Sequence, residues 1–455
     1  MKRLITKKYI RVTFQLTSPL SIGSGKNQNT DSDIMLDNSG KPFIPGSALA
    51  GVLREAVAET GRMDSKELDQ YFGVVKINTE IGGKKDQLAS ESRIVFYDAV
   101  LLPGESFVIS QRDGVALDEY KTAVPGAKFD MEIIEPGPRF ETFLVQNVEE
   151  GEALDVLELL SACFLEGNVS FGAKTMRGMG EIRTEEILSR EFDMTKADDV
   201  VEWVDFSIYD PWDRQKCTSI SSAVQGRYKA YSTLCLALRL EGGISIRRYT
   251  TQVSNNRQAM PDYEQLTVNC DIPVIPGTSW AGAFRHHMST LMGGSSETWE
   301  AVRDTYFGYV KGKEGTDKAR SRISFSESKL IGGKSKVISR NAIDRFSGGA
   351  ADTALFTEKT YYGGKTELVI RFRIPDTRAY EEDFLRLLSA CVADLHGGYM
   401  AIGGLTAVGR GLFTVVEIDG ERFDGSPEDL YKKLLAHLRE NLKEIPENVA
   451  EARNE

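Results

Sequence analysis

Histidine is scarce. The 455 residues include four, His286, His287, His396 and His437, and the first 285 include none. These four form neither a triad nor an HExxH pair, so histidine-based general acid–base catalysis and that class of metal site have no support. The five cysteines, Cys163, Cys217, Cys235, Cys270 and Cys391, include no CxxC pair. That excludes a zinc ribbon and fits reduced thiols in the cytoplasm, with Cys163 and Cys391 packed in apolar stretches. No apolar run approaches the roughly 18 residues of a membrane span, and the basic segment Met1–Lys8 lacks the apolar core of a secretory signal, so no membrane partner is expected. The P-loop spacing is missing as well: Gly23-Ser24-Gly25-Lys26 has Leu20 and Asn27 where the motif needs Gly and Ser or Thr, which argues against a nucleotide triphosphatase.

A positive balance is also missing. The net charge is −11, which on total charge disfavours a nucleic-acid binder. Its distribution reads differently. Residues 181–214 hold 11 acidic and 4 basic residues and 421–455 hold 9 and 6, whereas 311–350 hold 10 basic against 4 acidic. Phosphate binding needs local potential, not a positive total.

What is present is a repeat. Ile44-Pro45-Gly46-Ser47 … Gly51 … Arg54 returns as Ile275-Pro276-Gly277-Thr278 … Gly282 … Arg285, an offset of 231. Gly172, Thr175, Gly178 and Gly180 keep that offset to Gly403, Thr406, Gly409 and Gly411. Tyr71-Phe72-Gly73 answers Tyr306-Phe307-Gly308, Ser92-Arg93-Ile94 answers Ser321-Arg322-Ile323, and Ser161-Ala162-Cys163 answers Ser389-Ala390-Cys391. Landmarks in matched order over this period mean two copies of one domain, because solenoid periods are far shorter.

Each copy opens on a strand with period-two alternation, Tyr9–Leu16 and Leu234–Leu240, and runs into a Gly/Ser-containing loop, 18–29 or 241–256. A helix is predicted after Ile-Pro-Gly, capped by Ser47 or Thr278. Strands follow at 93–97 and 322–325, helices at Leu154–Phe164 and Asp383–Leu395, then a glycine loop and a last strand. Strand, helix, strands, helix, strand is the order of the ferredoxin-like unit. The expectation is an α+β chain with domains at 1–185 and 231–420, an acidic linker or extension at 186–230 and an acidic helical tail at 421–455.

Gly46-Ser47 and Gly277-Thr278, opening helices, gather backbone N–H groups where a phosphate can bind, with Arg54 and Arg285 two turns on. An ordinary capped helix with a surface arginine is the competing reading. The glycine loops (Gly178 and Gly180; Gly403 and Gly404) let a ligand approach closely beside Lys174, Arg177 and Arg410, or they are simply tight turns. Asp31 and Asp262 lie thirteen residues before their Ile-Pro-Gly motifs. A carboxylate there suits a divalent ion (Mg2+ or Mn2+) near a scissile phosphate, or a ribose hydroxyl. Residues 336–345, including Arg340, Asn341 and Arg345, interleave cations with apolar side chains, as a segment touching RNA backbone and unstacked bases does.

With these motifs the chain resembles the repeat-associated mysterious protein (RAMP) superfamily of CRISPR-associated proteins, and most closely the backbone subunits of type III effector complexes, two units fused. The Ile-Pro-Gly-Ser/Thr helices, the glycine loops and Arg340-Asn341-Ala342-Ile343-Asp344-Arg345 … Ala354-Leu355-Phe356-Thr357-Glu358 carry the likeness. It implies RRM-like ferredoxin folds stacked along a guide RNA, with helix openings, glycine loops and loop cations (Lys26, Arg247, Arg248) on guide phosphates. A thumb-like hairpin displaces a base of the guide–target duplex. It also implies that Asp31 and Asp262 cut single-stranded target RNA with a divalent metal by attack of the ribose 2′-hydroxyl, beside other subunits of the complex. The family's histidine ahead of the first glycine loop is replaced by Ser21, with Ser245 near the equivalent place, and the first copy's hairpin is shorter. A non-catalytic guide-binding scaffold, a guide-processing endoribonuclease and a duplicated oligomerisation module are the alternatives.

Overall fold

The structure is a computed structural model that describes residues 3–23, 32–78, 86–117, 123–151, 156–167, 169–220, 230–249, 261–269, 271–294, 296–311 and 317–443. In unit one, β1 (Leu4–Leu16) is followed by β2 (Phe43–Ile44), α1 (Gly46–Glu59), α2 (Ser65–Phe72), β3 (Ile94–Phe96) and β4 (Ala99–Leu101). A long hairpin, β5 (Ile109–Leu117) and β6 (Ala123–Ile134), precedes β7 (Arg139–Glu149), α3 (Val156–Leu165) and β8 (Ile182–Asp193). Strand β1 lies between β7 and β8, both antiparallel, and β3 pairs with the far edge of β7. The order β8-β1-β7-β3 with helices α1 and α3 on one face is the ferredoxin-like arrangement.

Unit two repeats it. After α4 (Ala197–Asp205) and β9 (Thr218–Ser219), the chain enters β10 (Ser232–Glu241), β11 (Arg247–Tyr249), β12 (Tyr263–Gln265), α5 (Gly277–Leu291), α6 (Glu297–Phe307) and β13 (Ile323–Phe325). The hairpin β14 (Lys334–Ile343) and β15 (Ala350–Tyr362) leads to β16 (Lys365–Phe372), α7 (Glu381–His396), β17 (Leu412–Ile418) and α8 (Pro427–Lys443). Its sheet runs β13-β16-β10-β17. The chain is therefore α+β, two ferredoxin-like units in tandem.

Period-two alternation sends Ile10, Val12, Phe14 and Leu16 inward against Leu49, Leu53 and Val57 of α1 and Leu157, Leu160 and Phe164 of α3. Leu234, Leu236, Leu238 and Leu240 do the same against Trp280 and Phe284 of α5 and Phe384 and Leu388 of α7. Each fully buried side chain contributes about 1.5–3 kcal/mol. Cys163 and Cys391 are buried in these cores, and burial drives the Cys163 thiol up to about 12.

The sequence left two features unread. Strand β8 continues past residue 185 to Asp193, and Trp203, Phe206 and Trp212 pack on Tyr9, Phe143 and Phe192, covering the sheet face opposite the helices. Residues 197–219 thus belong to unit one's body, held by aromatics the acidic composition masked. Likewise α8 buries Leu430, Leu434 and Leu438 in unit two's core. Among the described residues no helix is long and apolar enough to cross a membrane.

Candidate nucleic-acid interface

Both Ile-Pro-Gly openings are occupied at their glycines. Pro45 and Pro276 are the N-cap residues, and Ser47 and Thr278, one position into each helix beyond glycine, make no cap hydrogen bond and face solvent. The Gly46 N–H donates to Asp98 Oδ1 at 2.7 Å, so a carboxylate already satisfies it. Gly277 is buried: a Cβ there would sit 2.1 Å from Phe325 O and 2.4 Å from Arg177 O. The expected phosphate cradle at Gly46 and Gly277 is therefore filled, in one unit by its own acid and in the other by its neighbour.

The glycine loops are the same object built twice. Lys174 and Leu405 adopt φ 59° and 58°, a single 3-10 turn follows at Thr175–Arg177 and Thr406–Val408, and Gly178 and Gly409 close it at φ 76° and 80°. A Cβ on Gly180 or Gly411 would lie 1.8 or 1.9 Å from the carbonyl of Phe171 or Ile402, so only glycine fits. Ala173 N and Gly404 N each donate to a serine carbonyl, Ser21 or Ser245, at 2.8 Å, and Gly403 packs on that same Ser245 carbonyl.

The loop of unit one is buried against unit two. A Cβ on Gly178 would meet Glu327 N at 2.6 Å, and Arg112 of β5 reaches Glu327 with both guanidinium nitrogens, at 2.5 and 3.1 Å. Arg371 pairs with Glu181 at 3.1 Å, Arg320 with Glu55, and Tyr231 donates to Glu59 at 2.7 Å. This joint brings cations from both units together. Arg285 of α5 is exposed as a residue, yet desolvation first, then Arg303 and Arg177, lowers its pKa. Among the described residues neither Arg177 nor Arg285 has a carboxylate partner, whereas Arg303 donates to Asp304 at 2.7 and 2.9 Å. Lys174 lies 3.5 Å over the Phe129 ring, its pKa lowered to about 8 by burial and then by Arg177.

Two other expected cations are committed internally. Arg54 donates to Asp69 at 2.5 Å and to Gly73 O at 2.8 Å, locking α1 to α2. Arg410 is buried, bonded to Thr360 Oγ1 at 2.5 Å, and lies 2.6 Å from Glu358 Oε1 as an ion pair without hydrogen-bond alignment. Both charges are neutralised within the fold, by partners far away in sequence.

The β14–β15 hairpin stands out from unit two. Arg340 lies 3.5 Å from Glu358, while Asn341 and Arg345 are exposed. At the tip Asp344 Oδ1 accepts from the N–H groups of Phe346 and Ser347, which turns Phe346 fully outward, 103 % exposed. Asp262, at the foot of the hairpin, is exposed; its N–H donates to Thr357 O and its Oδ2 accepts from Thr357 N, both at 2.8 Å. Arg247 lies 4.8 Å over the Tyr263 ring and Arg248 is exposed beside it. The structure thus gathers Asp262, Arg247, Arg248 and Arg340 on one sheet, and Arg177 with Arg285 at the joint. Asp31 and Lys26 lie outside the described residues. No group of three acidic, histidine or cysteine side chains among the described residues forms a metal cage. Among the described residues Asp262 Oδ1 accepts no hydrogen bond, while Oδ2 is held by the Thr357 N–H.

Sequence reasoning missed Arg112, Asp98, Glu327, Arg303 and Phe346. One signal was available: Asp98 and Glu327 each lie six residues after the Ser-Arg-Ile serine.

The sequence model of the RAMP superfamily matches this chain over residues 13–183 and 256–414, one stretch in each unit. No curated protein matches it.

Proposed function

Because the chain belongs to the RAMP superfamily, a family of CRISPR-associated RNA-binding proteins, we propose that it is a tandem backbone subunit of a type III CRISPR effector complex that binds guide RNA and cuts target RNA beside its hairpins. The observation that carries the reading is the pair Arg177 and Arg285, from different units, placed together at the joint with no carboxylate among the described residues to neutralise either. Repulsion between guanidiniums is relieved by a polyanion, and phosphate is the anion arginine holds best. The basic hairpin with its outward Phe346 supplies a stacking or wedging ring, as single-strand and duplex-displacing surfaces do.

For cleavage, the free Asp262 carboxylate oxygen accepts the 2′-hydroxyl proton of a nucleotide laid against the hairpin foot. The 2′ oxygen then attacks the adjacent phosphorus, the bond from phosphorus to the 5′ oxygen breaks, and that oxygen takes a proton from solvent, which leaves a 2′,3′-cyclic phosphate and a 5′-hydroxyl. The Asp262 carboxylate would hold a divalent ion, which would supply charge neutralisation at the scissile phosphate.

Affinity for a guide-length RNA as a function of salt tests the binding reading. Replacing Arg177 or Arg285 by Ala is expected to flatten the slope of log K against log salt by about 0.7 per lost single-strand phosphate contact. An unchanged slope in both variants removes the joint from the RNA path and favours the oligomerisation reading.

A further inference from the structure

The joint between the two units has one donor side and one acceptor side, and this chain carries a second copy of each on its surface. The buried acceptor is the Gly277 opening with Phe325 and Glu327; the buried donor is the Lys174–Gly178 loop with Arg112. Unit one repeats the acceptor as Gly46, Phe96 and Asp98: a Cβ on Gly46 would lie 2.3 Å from Phe96 O, as one on Gly277 would from Phe325 O at 2.1 Å. Here nothing from unit two lies over it among the described residues. Asp98 is exposed, Val95, Val100 and Leu36 around it are exposed too, and a shallow pocket of about 310 Å³ opens between Leu36, Asp37, Phe43, Asp98 and Val100.

Unit two repeats the donor as the Leu405–Gly409 loop. Gly409 has open space where Gly178 is packed, and Val408 is 60 % exposed. The counterpart of Arg112 follows from the sheets. Ile134 bridges Leu20 as Tyr361 pairs with Ile244, Ile109 faces Ile134 as Ser335 faces Tyr361, and three residues on stand Arg112 and Ile338. The three counterparts are apolar, Ile338 for Arg112, Leu405 for Lys174 and Val408 for Arg177, and the cations nearby, Arg340 and Arg410, lie against Glu358.

The two free ends do not fit each other. Burying Asp98 under Ile338 strands a charge without a cation, whereas an arginine there reproduces the Arg112–Glu327 contact. We infer that the exposed opening of α1 is the docking face for another protein unit of this fold that brings a cation to Asp98, and that a second copy of this chain is not that unit. A head-to-tail contact of identical ends propagates without closing, and the mismatch at Asp98 stops that growth.

The test needs no RNA, so its outcome is independent of the reading above. Light scattering across a concentration series at low salt is expected to show the wild-type chain as single molecules. I338R restores the missing cation and is expected to self-associate, its average mass rising with concentration; adding D98R to it returns the single chain. I338K, read the same way, serves if I338R melts early. Wild-type chains that assemble, or a folded I338R or I338K that stays single, overturn the inference.

Discussion

The Arg112 guanidinium and the Glu327 carboxylate meet across the joint of the two units, bidentate, with 11 % and 6 % of their side chains exposed. A hairpin base of unit one is thereby bonded to the turn after β13 of unit two. Removing one partner leaves the other charge dry. R112M or E327L is expected to cost about 3–5 kcal/mol, and R112M with E327L to recover most of it. Urea denaturation of the four proteins measures the cycle; additive losses would mean that the pair is not coupled.

Arg410 and Glu358 have a natural apolar counterpart. Counting three residues back from Ile134 and from Tyr361 places Met131 opposite Glu358, and the offset of 231 places Met179 opposite Arg410. Met131 and Met179 pack together in unit one. R410M alone is therefore expected to destabilise by about 3–5 kcal/mol, whereas R410M with E358M matches or exceeds wild type. Thermal unfolding with amide exchange at β15 reads both, and a harmless single variant would contradict the argument.

Lys174 gives a pH signature. Burial, then Arg177, sets its folded pKa at about 8 against 10.5. Between those values the unfolded chain holds more protons, so stability rises with pH across that window. The melting difference between wild type and K174M is expected to shift in favour of wild type as pH rises from about 8 toward 10.5. A difference independent of pH would show that the ammonium is not desolvated.

At Asp262 two roles separate by substitution. D262N keeps an oxygen for the Thr357 N–H and loses the carboxylate; D262A loses both. Both are expected to slow target cleavage roughly a hundredfold or more, and D262A alone to lose about 0.5–1.5 kcal/mol of stability. Full cleavage by D262N in the assembled complex would leave the scaffold reading.

Duplication made much of this fold legible. The offset of 231 located helices α1 and α5 and two loops of matching geometry, because the glycines of those loops are forced by contacts such as that of Gly180 with Phe171 O, while period-two alternation located both central strands. The helices α2 and α6 went unread, being short and mostly polar on the surface. The site was less legible because charge says nothing about partners. Arg54 and Arg410 carry the same motif credentials as Arg177 and Arg285, yet Asp69 and Glu358 neutralise the first two. Nor does a repeat disclose which surfaces meet; that needed Gly277 lying under the Arg177 carbonyl.

Tethering changes how that polar joint behaves. Contacts made between parts of one polypeptide form at the high effective concentration their connection imposes, so ion pairs too weak to hold free partners remain closed. Damage at Arg112, Glu327 or Arg371 would leave the halves attached but gaping, visible as a larger radius of gyration and new protease nicks near residue 230 while each half keeps its own melting transition.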